Sequence, residues 1–203
     1  MASPKLNRRG GLFAMLGSLL WTVGWILTLI AGGGTSAERV WRTLLVSPGM
    51  LLFIAGLAGF HARQAGRSGQ FGQTGFAVCL LGTGTMLLGN VVEFWVSEYF
   101  FGTQTPGWVM MGIGLMMLPA GFIALGIGTL RARVLTGWRR AVPLGFGLML
   151  GLIVIVLMVA IWTDSRHSYE TLLSAIFGIA LGWMALGYAL WSEQAERSDA
   201  LTE

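Results

Sequence analysis

The chain has 203 residues, 55% hydrophobic and only 11% charged, with a mean hydropathy of +0.71. A soluble domain carries about 25% charge, so this composition excludes a water-exposed globule and points to an integral membrane protein. The net charge of +4 does not signal a nucleic-acid partner, because the basic residues lie in short loops with no dense basic tract or aromatic platform.

Six apolar blocks, each long enough to cross about 30 Å of hydrocarbon, are predicted at about residues 12–31, 44–61, 71–96, 108–130, 142–162 and 172–191. Every backbone amide must be satisfied inside a bilayer, so the blocks read as helices. The alternating ten-residue strands of a small barrel are missing. The expected fold is all-α: a single membrane domain over residues 1–203, a compact six-helix bundle with short loops.

The first block follows a basic N-terminal stretch, as a signal peptide would. Its apolar core is too long for one, so it is expected to be a retained helix. The connections after it, from "GGGTSAERVWR" to "TDSRHSYE", are too short for a soluble domain. Lys5, Arg8, Arg9, Arg63, Arg67, Arg131, Arg133, Arg139, Arg140 and Arg197 fall at one end of the spans; Arg39, Arg42 and Arg166 fall at the other. By the positive-inside rule, both termini are expected in the cytoplasm; the style of the chain suggests a bacterial cytoplasmic (inner) membrane.

The second and fourth spans are followed by similar basic stretches, "GFHARQAGR" and "TLRARVLTG", and the chain divides into three helical hairpins. Glycine occurs 31 times, about twice the ordinary frequency. Gly147 and Gly151 form one small-xxx-small pair in the fifth span, and Gly178 and Gly182 another in the sixth. Such faces let helices pack closely, within the chain or against a second membrane protein or a second copy.

The candidate chemistry lies at the outer ends of the spans. Glu93 sits inside an apolar run and shares a helical face with Asn90; Glu98 follows. A carboxylate at that depth is paired, protonated or near water. Arg39 and Arg42, in the first outer loop, are candidate ion-pair partners for Glu93. With Asp164 and His167 of the last outer loop, these residues could line an outward vestibule for a solute or ion. Asp164, His167 and Glu170 could also do acid–base work, though a polar cap on the sixth span explains them as well.

At the inner end Arg131, Arg133, Arg139 and Arg140 bracket Trp138 and could grip anionic lipid or an acidic partner surface. The mildly acidic "SEQAERSDALTE" could dock on them. No cofactor or metal is expected: the two histidines, His61 and His167, belong to opposite ends, and no HExxH, GxSxG, CxxC or phosphate-loop motif occurs. The sequence therefore favours a non-enzymatic accessory, assembly or scaffold subunit. A channel or transporter component with its site around Glu93 is the alternative.

Overall fold

The computed structural model describes residues 4–32, 36–64, 67, 69–96, 105–133, 135–163 and 168–199. They form six long helices: α1 (Pro4–Ala31), α2 (Ser36–Gln64), α3 (Gly69–Val96), α4 (Thr105–Ala132), α5 (Val142–Trp162) and α6 (Ser168–Asp199). Each contains a segment long and apolar enough to span a bilayer, and no strand occurs among the described residues. The protein is a polytopic membrane bundle of six helices. Helices adjacent in sequence pack on one another, and α6 returns to pack on α1, so the helices form a closed ring.

Several helices run past the expected spans: α1 begins at Pro4 rather than Leu12, and α2, α4 and α6 extend beyond both of their expected ends. The second helix begins at Ser36, well before Leu44, so Arg39 and Arg42 are helical residues and not loop residues. The reason is a π-helical turn, Arg42–Val46, closed by the Ser47 N–H donating to the Arg42 carbonyl. Pro48 has no N–H to give the preceding turn and its ring crowds that turn's carbonyl; the wider turn just before it accommodates both effects. At the other end of the chain, α6 runs on through "SEQAERSD" as helix.

The ring is held by glycines that bring backbones into contact. In the first hairpin Gly17 faces Gly49, Ala14 faces Gly56 and Gly24 faces Val46. In the second, Gly82 faces Gly114, Cys79 faces Gly121 and Gly89 faces Met111. Every residue of the second set stands at one constant offset from its counterpart in the first. The two hairpins therefore pack by the same rule. That offset is not the one suggested by the similar basic loops, which lie in a different register. Continued once more, it carries Phe53 and Leu118 to Trp183, and Phe60 and Leu125 to Leu190, all of them buried.

The third hairpin is looser. Gly147, the counterpart of Gly17 and Gly82, packs against Ile123 of α4 rather than against α6. Gly182 lies under the ring of Phe146, and Gly178 meets only the end of the Ile153 side chain. Gly151 departs from the close packing expected of it: an added Cβ would meet just Pro119, at an ordinary 3.8 Å. The α1–α6 seam is closed by Gly11 against Gly187 and by the Ser18 hydroxyl, which donates to the Ala180 carbonyl at 2.7 Å.

Halfway along the helices the middle of the ring is filled. Trp183 of α6 stacks on Phe53 of α2 at 4.2 Å, with Phe122 of α4 at 5.4 Å and Phe146 of α5 at 5.8 Å. Outside, Leu16, Leu81, Leu88, Leu148, Leu152 and Ile155 present an apolar surface suited to lipid.

The glycine contacts give a discriminating test. Gly82→Ala places a Cβ 2.9 Å from the Gly114 carbonyl and is expected to cost about 1–3 kcal/mol as overpacking. Gly84→Ala, with nothing within 4 Å, should leave stability unchanged or slightly raised. Unfolding of the two variants in mixed detergent micelles reads the difference.

Candidate functional site

Two polar clusters sit at opposite ends of the bundle, separated by the aromatic middle. The first is built on the N-terminal part of α2, the C-terminal part of α3 and the N-terminal part of α4. The π turn of α2 directs Arg42 into the bundle, where it is 2% exposed. A guanidinium there needs compensation, and several groups supply it. Arg42 Nε lies 3.2 Å from Glu38 Oε1, one turn back on the same helix. Arg42 Nη1 donates to Asn90 Oδ1 of α3 at 3.2 Å. The rings of Trp25, Phe94 and Trp108 surround the guanidinium carbon at 4.1, 4.3 and 4.8 Å. Three aromatic faces from three helices make a cation–π box, each contact worth about 0.5–2 kcal/mol depending on desolvation.

Glu93 lies beside this box and is 1% exposed. It belongs to a second π turn, Val92–Val96, which ends α3. Its Oε2 accepts the Trp108 N–H at 3.1 Å. That N–H is in the first turn of α4, where backbone donors have no partner within their own helix, so Glu93 caps α4 from the neighbouring helix. Gly107 makes this approach feasible, because a Cβ there would collide with the Glu93 backbone and Cβ. Glu93 Oε1 has no hydrogen-bond partner among the described residues. Asn90 bridges onward, donating from Nδ2 to Ser47 Oγ at 2.8 Å.

Of the residues expected here, the structure brings together Asn90, Glu93 and Arg42. The carboxylate in ion-pair contact with Arg42 is Glu38; Glu93 acts on Arg42 through the electrostatic field rather than by direct contact. Arg39 is half-buried on the same turn of α2. Glu98, Asp164 and His167 lie outside the described residues. Trp25 and Phe94 were not anticipated as site residues. Only the positioning of Arg42 inside a helix, rather than a loop, reveals the box.

The second cluster is at the basic end. Glu193 of α6 is buried, and its Oε2 accepts from the Thr136 N–H at 3.1 Å, the Thr136 hydroxyl at 2.8 Å and Arg139 Nη1 at 3.3 Å. Arg63 of α2 approaches its other oxygen at 3.7 Å. Glu193 thereby ties α6 to α2 and to the connection between α4 and α5. Arg139 is thus engaged, whereas Arg131, Arg133 and Arg140 are exposed. Nearby, buried Gln64 donates to buried Thr129, joining α2 to α4, and His61 stacks on Phe76 at 4.0 Å. The sequence signal for Glu193 was weak: an acidic residue in a polar tail next to an arginine-rich loop. Among the described residues no group of three or more His, Cys, Asp or Glu is placed to hold a metal ion.

Each cluster yields a stability prediction. Arg42→Gln removes a buried cation in ion-pair contact with Glu38 and should cost about 3–5 kcal/mol. Pairing it with Glu38→Gln should restore part of that loss, as a double-mutant cycle in mixed micelles would read. Glu193→Gln should cost about 1.5–3 kcal/mol through its charge-assisted bonds, and it should loosen the connection between α4 and α5, as seen in faster amide exchange at Thr136.

No protein-family model, no curated protein and no solved structure matches this chain, so its function is argued from these two clusters and the packing between them.

Proposed function

We propose that the protein is a non-enzymatic accessory, assembly or scaffold subunit of a cytoplasmic membrane, with its basic end and both termini on the cytoplasmic side. The observation that carries this reading is the filled middle of the ring. Trp183, Phe53, Phe122 and Phe146 meet there, and the buried charged groups at both ends are engaged in ties between helices rather than arrayed along a path. A proton or ion pathway through a bundle leaves a trail of ionisable groups at successive depths. Here the spans hold mainly hydroxyls that bond back to their own helices, such as Thr83 to the Cys79 carbonyl at 2.9 Å. The arrangement suits a rigid body that offers its surface to another membrane protein.

One observation favours the alternative, a small-solute or ion channel or transporter component. Glu93 is buried and one of its oxygens lacks a hydrogen bond among the described residues, as a carboxyl that takes up a proton or a cation would be.

Native mass spectrometry after gentle extraction, combined with flux measurements on purified protein in liposomes, separates the two. The subunit reading expects a stoichiometric membrane-protein partner and flux no greater than in empty liposomes. Selective flux by the purified chain alone, abolished in Glu93→Gln, would overturn it in favour of transport.

A further inference from the structure

At the basic end Arg9 and Arg67 are exposed, and the arginines around the α4–α5 connection fall into two groups. Arg63 and Arg139 are drawn to Glu193. Arg131, Arg133 and Arg140 are exposed, and no described carboxylate lies in ion-pair contact with them. All three belong to the short stretch where α4 ends and α5 begins, at the edge of two apolar spans, which is the depth of lipid headgroups. Glu193 therefore neutralises the arginines that tie helices together and leaves the three exposed arginines of this stretch to face a partner.

Three further observations specify that partner. The Arg131 guanidinium rests over the Phe71 ring of α3 at 4.7 Å, which fixes the side chain while leaving its edge donors free for an anion. Trp138 is 58% exposed and stacks on Tyr188 of α6 at 6.4 Å. An exposed indole beside a tyrosine at the end of a span is the signature of the headgroup interface. Finally, Arg133 adopts a left-handed backbone conformation, with φ +48°, just past the end of α4. Glycine or asparagine is favoured at that position, and an arginine there stores backbone strain, a cost that collects at functional sites.

We propose that Arg131, Arg133 and Arg140, with Trp138, form a basic edge that binds the phosphodiester headgroups of anionic phospholipid. The arginines supply forked donors and charge for the phosphate, and the indole sits at the glycerol level beside the acyl chains. This assignment stands independently of whether the protein is a subunit or a transporter.

Arg133 provides a variant that separates binding from folding. Arg133→Gly relieves the left-handed strain, so it should unfold at the same temperature as the parent or higher. It should nevertheless retain less lipid. The probe is the full chain in nanodiscs of phosphatidylcholine with a minority of phosphatidylglycerol, scored by native mass spectrometry for retained phosphatidylglycerol. Each of Arg131→Gln, Arg133→Gly and Arg140→Gln is expected to lower that retention by roughly fivefold, whereas Arg9→Gln, at an exposed arginine of α1, should leave it unchanged. The proposal is overturned if Arg133→Gly retains phosphatidylglycerol as the parent does. It is equally overturned if Arg9→Gln loses as much, which would mark a diffuse charge effect. Displacement of the lipid by millimolar inorganic phosphate would also overturn it, in favour of a site for the free anion.

Discussion

The rest of the molecule depends on the close approach of glycine-faced helices. Lipid tails are as apolar as leucine, so burial against a neighbouring helix gains little from the hydrophobic effect inside a bilayer. What remains is contact, and contact improves when backbones can touch. At Gly17–Gly49 and Gly82–Gly114 the helices meet with no side chain between them. The hairpins so formed are stiff enough to fix the positions of groups at their ends. Gly107 makes the link directly: the missing Cβ that lets α4 meet α3 is also what allows Glu93 to cap α4.

The charged clusters follow from that frame. Burying Arg42 at 2% exposure would be prohibitive on an isolated helix. In the ring it meets a carboxylate one turn away, an amide from α3 and aromatic faces from three helices. Glu193 does the same at the opposite end, collecting donors from the α4–α5 connection and from α2. Each cluster joins elements distant in sequence, so each closes the ring where the glycine contacts alone leave it open. The looser third hairpin, where Gly151 has room to spare, is the part most dependent on such ties.

The two hairpins that share one packing rule differ at the end that carries the first polar cluster. The counterpart of Gly107 in the first hairpin is Arg42, and the counterpart of Glu93 is Thr28. The repeated positions carry the packing and the divergent ones carry the charge. This division separates scaffold from site within a single chain. It also explains why the likeness between the hairpins lies in their packing positions rather than in their basic loops.

Apolar length and backbone satisfaction in a bilayer leave helices as the available solution, so the class and the number of apolar helices were readable from the chain. In the fifth span the apolar run lies in the helix Val142–Trp162. Glu93 and Asn90 were legible as a pair because helical spacing alone puts them on one face. Packing makes Arg42 a buried helical residue, places Glu38 in contact with it and encloses it between Trp25, Phe94 and Trp108. Those facts depend on a π turn before Pro48 and on three helices converging, and neither leaves a periodic mark in the chain. The same holds for the glycines: their abundance is written in the composition, but which ones touch is set by the register between helices, a property of the packed ring.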